Sequence, residues 1–542
     1  MAQASTLAMN GGQASAWSPF RIPVFRVLWV ATLASNIGTW MHDIGAGWLM
    51  TSLSPSPLMV ALVQTATTLP VFLLAMPAGA LSDILDRRRY LIAVQVWMAL
   101  VAALLGILTL IGITSAWTLV ALTFAMGAGT AMMLPAWAAV TPELVPRDQL
   151  QPAIALNSLG INVARAIGPA LAGVIVSFVG TGAVFILNAL SYLAVMVVLF
   201  RWQRDTTASE LPSERFIGAM RSGLRFVLHA PELQAALVRG FSFFLFASAS
   251  WALLPLVAKN LANGGPQAFG MLVASLGAGA VAGAFILPKL RDRLSRDALV
   301  AAATLQYAAV LIALATLQQL APLSVAMAIG GVAWIAVLSS LQVAAQMALP
   351  NWVRSRGLAV FMMIFMGSMA GGSLLWGMVA DVTSIPHSLT IAATGLVVAV
   401  GLSWRWRISG FEQVNLTPSM HWPAPVVHDA VTHDRGPVLV TIHYDVRADQ
   451  AGKFLDAIRL LGAHRRRDGA FAWGVYEDTE RQNHFIESFH IESWLEHLRQ
   501  HERVTDADRE LQSEIRALLM ADTAPTVAHY VAPTKHEQEK RP

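Results

Sequence analysis

Apolar stretches long enough to cross a membrane fill most of this sequence. A helix needs about 20 apolar residues to span the ~30 Å of hydrocarbon in a bilayer. Because lipid offers no hydrogen-bond partners to the backbone, such stretches must fold as helices. We predict twelve of them in two sets of six, at 27–52, 56–81, 90–112, 117–140, 152–178 and 182–201, and then at 233–257, 267–288, 298–318, 322–346, 357–381 and 387–404.

Composition supports lipid as the solvent for these stretches. Charged residues make up 13% of the 542 residues, about half of the ~25% found in ordinary soluble proteins. The net charge is only +4 and the basic residues occur in short runs between apolar segments, so we expect no nucleic-acid partner. The sequence has no cysteine, which excludes a disulfide framework, a thiolate nucleophile and a cysteine-based zinc site.

Basic residues in the connecting segments predict the orientation in the membrane. Runs such as Arg87–Arg89 and Lys289–Arg296 follow even-numbered segments, whereas the alternate connections contain little positive charge besides Lys259. Positively charged loops remain on the cytoplasmic side. We therefore expect a multi-pass protein of the inner (plasma) membrane with both termini in the cytoplasm.

The two sets of six segments are similar to each other. The spacing from Pro142 to Leu150, after segment four, recurs from Pro350 to Leu358, after segment ten. Such duplication is typical of transporters with a solute path between two lobes. The predicted fold is an all-α polytopic bundle of two six-helix lobes with a small cytosolic α+β domain: tail 1–20, lobe 21–205, linker 206–232, lobe 233–408, linker 409–435, domain 436–534 and tail 535–542.

The central linker contains apolar residues at helical spacing with arginines between them. This pattern indicates either an amphipathic helix on the inner membrane face or a solvated linker helix. The apolar positions are Phe216, Ile217, Met220, Leu224 and Val227, and the arginines are Arg215, Arg221 and Arg225.

The C-terminal domain has the pattern βαββαβ, which is a ferredoxin-like signature. We predict strands at 438–446, 471–476, 484–490 and 526–531, with helices at 449–463 and 491–519.

Polar residues within the predicted membrane helices are candidates for the transport site. Asn36, Trp40, Asp43 and Gly47 are spaced to share one helix face. Ionisable groups in a membrane helix are costly and usually face a cavity or a partner. Asp43, with His42 beside it, is therefore our proton-coupling candidate, unless Asp43 lies close enough to the membrane surface to be solvated.

Arg165 in segment five needs either a charge partner, for which Asp43 is the first choice, or an anionic ligand. The substrate-cavity candidates are Asn36, Trp40, Gln64, Asn157 and Arg165, followed by the weaker candidates Gln95, Asn188, Arg239, Gln306, Gln342 and Gln346.

The loop after segment two resembles the signature loop of the major facilitator superfamily. Gly79, Leu81, Asp83, Arg87, Arg88 and Leu91 fit its pattern, whereas Ile84 and Asp86 replace a basic residue and a glycine. The resemblance implies a gating latch, in which Gly79 allows a close helix approach. The alternative is that these charges only fix the topology.

A second motif, Gly160, Gly168, Pro169 and Gly173, resembles the glycine–proline motif of antiporters in that superfamily. The alternative is ordinary small-residue packing. Ser18–Arg21, Phe25–Arg26 and Pro142–Arg147 are similar to the branch that contains enterobactin-exporter-like proteins and transmembrane secretion effectors. This resemblance implies proton-driven export of a siderophore, drug or metabolite by alternating access. An importer of the same fold stays an alternative.

The C-terminal domain resembles the dimeric α/β-barrel domains related to antibiotic-biosynthesis monooxygenases, through Phe485–Phe489, Trp494, His497 and His501. The resemblance implies a possible homodimer, and a membrane-tethered, cofactor-independent oxidation as the alternative function. His497 and His501 lack the glutamate of the H-E-x-x-H pattern. We therefore expect these two residues, with His484 and His490, to be exposed polar histidines that bind no metal. We expect the domain to be a regulatory or dimerising module, without a cofactor or an enzyme activity.

Overall fold

The computed structural model describes residues 17–202, 224–262, 264–350, 352–408, 419, 422, 435–520 and 523–533. The chain divides into two compact units. The bundle unit comprises 1–210, 238–341 and 362–405, and the tail unit comprises 211–237, 342–361 and 406–542.

Twelve long helices in the described residues correspond to the twelve predicted segments. Eleven are long and apolar enough to cross a membrane. The other helix is Pro23–Leu53, whose mean hydropathy is lowered by Asn36, His42 and Asp43. The bounds are α1 Pro23–Leu53, α2 Pro57–Ile84, α3 Arg87–Leu110, α4 Ala116–Leu144, α5 Leu150–Val179, α6 Thr181–Arg201, α7 Pro231–Lys259, α8 Pro266–Arg291, α9 Arg296–Thr316, α10 Leu320–Met347, α11 Arg354–Val382 and α12 Ile385–Ser403.

Local sequence explains where several of these helices begin. Asp86 accepts a hydrogen bond from the Arg89 backbone N–H at 2.9 Å and so caps α3. Side chains of this type satisfy the free N–H groups of the first helical turn. Asp86, which replaces the glycine of the superfamily loop, thus has a local structural role. Ser115, Ser295 and Ser384 cap α4, α9 and α12 in the same way.

Each lobe has its own packed interior. In the first lobe, α3 and α6 pack together around Leu91, Met98 and Tyr192. In the second lobe, Trp334 lies within 6 Å, between ring centroids, of Phe243 and Tyr307. Trp334 is therefore a core residue that is only 5% exposed.

The C-terminal domain is a four-stranded antiparallel sheet of order β2-β3-β1-β4 with helices packed on it. The predicted βαββαβ order is confirmed, except that the last helical region is two helices. The break occurs at Thr505, whose side chain and Asp508 form a capping box. The bounds are β1 Val438–Asp445, α13 Ala451–Arg467, β2 Phe471–Glu477, β3 His484–Ile491, α14 Trp494–Arg503, α15 Asp506–Ala517 and β4 Thr526–Val531.

The prediction of exposed histidines in this domain is wrong: His490 and His501 are half-buried, and His484 and His497 are buried. His484 is 7% exposed, and its Nδ1 donates a hydrogen bond to the Asp445 carboxylate at 2.8 Å. His497 is 2% exposed and packs between the rings of Trp494 and His529. Trp494 belongs to the same helix, α14, and His529 belongs to β4. Helical spacing alone does not reveal that the sheet covers this side chain.

Residues from two other parts of the chain pack on this domain within the tail unit. Residues 224–229, before α7, are helical, and Phe226 is 1% exposed. Its ring meets Trp352, from the connection between α10 and α11, edge to face at 5.8 Å. The Arg503 guanidinium lies 4.3 Å from the centroid of Trp352. The rest of the predicted amphipathic helix, including Phe216, Ile217 and Met220, lies outside the described residues.

Candidate functional site

The two lobes of the bundle unit meet along one seam between α2 and α11. We call the end of the bundle where α1 begins and α12 ends the terminal end, and the opposite end the distal end. At the distal end, the Ser56 hydroxyl donates to Asp381 at 2.7 Å. Nine residues further along α2, towards the middle of the bundle, the Thr65 hydroxyl donates to the Ala370 carbonyl at 3.1 Å. These contacts hold the distal half of the seam closed.

A second seam joins α5 to α8 and is made of glycines. A Cβ on Gly173 would lie 2.8 Å from the Pro266 carbonyl, and one on Gly277 would lie 2.8 Å from the Arg165 carbonyl. No side chain fits at these positions without a shift, because the two backbones are in contact. The α5 motif therefore serves close packing between the lobes through Pro169 and Gly173.

The same motif packs α5 against α1 on its other face. A Cβ on Gly168 would lie 2.6 Å from the Cβ of Trp40, and one on Gly160 would lie 3.4 Å from the Trp29 ring. Thus α5 is held between α1 and α8, and small residues allow both approaches.

A cavity of about 470 Å³ occupies the terminal half of the first lobe. This volume is within the usual range for small-molecule sites, about 300–1,000 Å³. Its wall is mostly apolar and aromatic, with a few polar groups. The polar and aromatic residues are Trp29, Thr32, Ser35, Asn36, Thr39, Gln95, Trp137, Thr141, Asn157 and Ser158.

Two of the five predicted cavity residues line this space. They are Asn36 and Asn157, and the Asn157 amide donates to the Thr141 hydroxyl at 3.0 Å. Gln95, a weaker candidate, also lines it, and its buried Oε1 has no hydrogen-bond partner. Gln64 does not line the cavity. Sequence reasoning missed Trp29 and Trp137.

The missed residues had different signals. Trp29 precedes Asn36 by seven residues and shares its helix face, so periodicity could have found it. Its indole N–H donates to the Leu156 carbonyl at 3.0 Å. Trp137 had a weaker signal, because it shares a helix face only with threonines: Thr130 precedes it by seven residues and Thr141 follows it by four.

Trp40 and Arg165 lie together, one turn deeper than the cavity wall. The Arg165 Cζ is 5.8 Å from the Trp40 ring centroid. The expected Arg165–Asp43 pair is absent, since no carboxylate of the described residues lies within 4.0 Å of the Arg165 guanidinium. Trp251, from α7 of the second lobe, packs 6.2 Å from Trp40.

Asp43 and His42 occupy different faces of α1. His42 is 1% exposed and packs 4.8 Å from Phe185 of α6, and neither ring nitrogen has a hydrogen-bond partner. By helical spacing, Asp43 shares the face of Trp40 and Gly47, and its charge interacts with the Tyr192 hydroxyl of α6. Gly47 approaches Phe269 of α8, so Asp43 stands on the face that runs from the cavity to the contact between lobes.

The superfamily-type loop connects helices of the first lobe to one another. Arg87 pairs with Glu143 at the end of α4 at 2.6 Å. The Arg88 Nε donates to the Leu199 carbonyl, at the end of α6, at 2.8 Å. The close approach expected at Gly79 is not made in this conformation, since no atom of the described residues lies within 4 Å of a Cβ built there. Leu81 is 40% exposed, and the side chain of Asp83 lies outside the described part of the structure.

Arg239, a weaker candidate for the substrate cavity, forms an ion pair and does not line the cavity. Its Nη1 lies 2.8 Å from Asp297, and the two side chains are 4% and 13% exposed. Gln306 donates to the Ile329 carbonyl at 3.0 Å and so bridges α9 and α10.

The tail histidines do not form a metal site among the described residues, in which no group of three His, Asp or Glu side chains is placed to hold an ion. Burial, with nearby His529 and His501, lowers the pKa of His497 to about 3. Burial and His529 lower the pKa of His501 to about 4. Both imidazoles are therefore neutral at pH 7.

The interior of the tail domain is a hydrogen-bonded network around Glu487, which is fully buried. Tyr444 and Trp473 each donate to this carboxylate at 2.9 Å, and Arg465 donates at 3.3 Å. Burial, together with the Glu487 charge, raises the pKa of Tyr444. Because the carboxylate has several donors, this network can hold the sheet and α13 in one arrangement.

Two six-helix lobes that meet along paired seams, with a cavity inside one half of the bundle, define a multi-pass membrane transporter of the major facilitator type. The family profile described as "Transmembrane secretion effector" matches residues 14–538. The chain belongs to this family, and the match includes the C-terminal domain.

Known relatives are transporters. The multidrug efflux pump Tap of Mycolicibacterium fortuitum is 25% identical over 401 residues, which cover 70% of this chain and 95% of Tap. The staphyloferrin A transporter of Staphylococcus aureus is 25% identical over 262 residues, which cover 47% of this chain and 64% of that relative. The chain thus spans less than two thirds of the staphyloferrin A transporter's length.

The fold is also seen in solved structures. A bacterial homologue of the human lysosomal transporter Spinster, in an inward-facing and unoccupied conformation, has a TM-score of 0.57 and 14% identity, with coverage of 71% of this chain and 96% of that structure.

Proposed function

We propose that this protein exports a small molecule from the cytoplasm by alternating access, driven by the proton gradient across the plasma membrane. One observation carries the proposal: the cavity lies in the terminal half of the bundle while the seams are closed in the distal half. A solute can then enter from one side only. Rocking of the lobes would close the terminal half and open the distal half.

Basic residues support a cytoplasmic terminal end. Connections at this end carry Arg87, Arg201, Lys289 and Arg354, whereas Lys259 is the exception at the distal end. By the positive-inside rule, the cavity faces the cytoplasm. Export from that side agrees with relatives such as the multidrug efflux pump Tap.

Asp43 is the residue that we assign to proton coupling. It stands on the α1 face between the cavity and the contact with α8, where its charge state affects both lobes. A carboxylate inside a membrane helix is a functional site by default. Because His42 packs against Phe185 of α6, we rank it behind Asp43 as a group that binds the coupled proton.

The tail domain is in our proposal a regulatory module and not an enzyme. Its contacts with Phe226 and Trp352 tie it to the chain before α7 and between α10 and α11. These segments continue into helices of the second lobe. The monooxygenase alternative receives no support from the family or from the relatives, which are transporters. Dimerisation through this domain stays a proposal.

Inverted membrane vesicles test the transport function. A panel of siderophores, drugs and metabolites is offered with and without an imposed pH gradient, using vesicles without the protein as the control. The proposal expects gradient-dependent accumulation of at least one solute. Accumulation that is independent of the gradient contradicts proton coupling, and uptake in right-side-out vesicles alone favours the importer alternative.

A further inference from the structure

Three side chains meet at the inner end of the cavity, and we call them the seam cluster: Trp40, Arg165 and Trp251. Asn36 and Ile161 line the cavity, and Trp40 and Arg165 follow them by four residues on the same helix faces. Trp251 comes from the second lobe and packs 6.2 Å from Trp40. A solute that moves deeper into the cavity therefore reaches a cluster to which both lobes contribute.

The seam cluster presents hydrogen-bond donors without acceptors. The Nε of Arg165 and the Nε1 of Trp251 are both buried and have no hydrogen-bond partner. A guanidinium is always charged and only donates, and an indole N–H also only donates. No carboxylate of the described residues lies within 4.0 Å of Arg165. A positive charge is thus held inside the bundle, and no carboxylate in the described part of the chain pairs with it.

Such a charge is costly. An arginine at the middle of a membrane helix is unfavourable, and so is a buried donor without a hydrogen-bond partner. Arg165 cannot avoid this cost by moving to the membrane surface, because α5 is packed against α1 at Gly168 and its Arg165 carbonyl faces Gly277 of α8. A group that supplies acceptors and one negative charge would offset both costs.

We infer that the seam cluster binds a carboxylate of the transported molecule, with an adjoining flat ring against Trp40. This inference rests on the proposed function, whose substrate it narrows to an organic acid. A carboxylate accepts two parallel hydrogen bonds from a guanidinium, and its single charge matches that of Arg165. A phosphate dianion would leave excess negative charge among tryptophans.

Binding at this position also couples the solute to the movement of the lobes. Arg165 and Trp40 belong to the first lobe, and Trp251 belongs to the second. A ligand shifts a conformational equilibrium only when it binds the two states with different affinity. A carboxylate that contacts both Arg165 and the Trp251 N–H binds best when the lobes are close here.

A matched pair of probes tests the inference: 1-naphthoate and its neutral amide, 1-naphthamide. Binding to the full chain in nanodiscs is measured by isothermal titration calorimetry. We expect naphthoate to bind about tenfold or more tightly than naphthamide, because hydrogen bonds to charged groups contribute about 1.5–3 kcal/mol. Equal binding of the two probes, or no binding of naphthoate, overturns the inference.

Variants of Arg165 test whether this residue causes the preference for naphthoate over naphthamide. Arg165→Gln should remove the preference for naphthoate over naphthamide, and Arg165→Lys should keep part of that preference because the charge remains without the planar fork. Arg26→Gln, at an exposed position of α1, is the control and should bind both probes as the wild type does. The inference is also overturned if Arg165→Lys and Arg165→Gln both prefer naphthoate as strongly as the wild type does.

Different experimental results would overturn the inferred carboxylate site and the proposed export function. Proton-driven export of neutral solutes that Arg165→Gln leaves intact would overturn the carboxylate site and keep the exporter. Arg165-dependent naphthoate binding in a protein that moves no solute would keep the site and overturn the exporter.

Discussion

Arg239 and Asp297 form an ion pair inside the second lobe, with the Arg239 Nη1 2.8 Å from the Asp297 carboxylate. Arg239 also donates to the Ser403 carbonyl at the end of α12 at 3.4 Å. Arg88 does the same in the first lobe, where it donates to the Leu199 carbonyl near the end of α6 at 2.8 Å. In each lobe, an arginine thus binds the free carbonyls at the end of the last helix, where a positive charge is favourable.

Asp297→Ala should destabilise the bundle strongly, because it leaves Arg239 buried without its carboxylate. Removal of one partner of a buried pair costs about 3–5 kcal/mol. The measurement is the thermal unfolding midpoint in detergent. Asp456→Ala is the control, since the Asp456–Arg459 pair is 84% and 68% exposed and such pairs contribute little. Equal midpoints for the two variants would show that the buried pair is not stabilising.

Gly168→Ala should destabilise the packing of α5 on α1. The new methyl group would lie 2.6 Å from the Trp40 Cβ and 3.1 Å from the Ile37 carbonyl, and overpacking of this kind costs about 1–3 kcal/mol. Gly401→Ala is the matched control, because nothing lies within 4 Å of a Cβ there. We expect the unfolding midpoint to fall in the first variant and to rise slightly in the second, since alanine favours a helix. A rise in both would contradict the tight α1–α5 contact.

The tail domain should lose stability as the pH falls. His497 and His501 have folded-state pKa values of about 3 and about 4, below the usual 6.5, because of burial. Below pH 6.5 the unfolded chain therefore binds protons that the folded chain does not, and the free energy of unfolding falls until the folded pKa is reached. Hydrogen–deuterium exchange of residues 436–533 in the full chain, compared at pH 7 and pH 5, measures this loss.

His497→Phe should make that pH dependence shallower, because one titrating group is removed while a buried ring is kept. His387→Phe, at an exposed site of the bundle, is the control and should leave the dependence unchanged. An identical pH dependence in the wild type and in His497→Phe would mean that His497 is not the neutral buried group described above.

Trp352→Ala should loosen the contact between the tail domain and the connection of α10 to α11. The Trp352 ring contacts Phe226 and the Arg503 guanidinium, and both contacts would be lost. We expect faster hydrogen exchange in α14, and a changed transport rate if the domain is regulatory. Trp117→Ala serves as control, since Trp117 is 68% exposed. Faster exchange without any change in transport would contradict the regulatory role.

The sequence predicted the helices because their signal is local. Each apolar stretch is an independent span, and residues such as Asp86 and Ser295 mark where α3 and α9 begin. The tail domain was predictable for the same reason: alternation and helical spacing are read within single elements. Its buried His497 was not, since burial depends on what the sheet and the other helices enclose.

The site was only partly predictable, because it depends on contacts between distant segments. Asn36 and Asn157 were found as polar residues in apolar helices. Their neighbour Trp137 was missed, because only threonines mark its helix face. The absence of an Asp43–Arg165 pair and the open space beside Gly79 follow from how the helices rotate against one another, which spacing along the chain does not specify.

Asp43→Asn should abolish pH-driven export and leave folding intact. Asparagine has nearly the same shape but cannot bind and release a proton, so the gradient would no longer be coupled to the solute. Transport in inverted vesicles with a pH gradient measures the effect, with size-exclusion chromatography as the check on folding. Unchanged export would remove Asp43 from the mechanism.

The most direct test of alternating access is a reversible lock on the distal end. The sequence has no cysteine, so the double variant Ser56→Cys/Asp381→Cys would contain only the introduced pair, at side chains that are 2.7 Å apart between Oγ and Oδ1. Oxidation should stop transport of the solute identified by the panel, and reduction should restore it, while each single variant stays active under both conditions. Full transport by the oxidised, cross-linked protein would contradict the account.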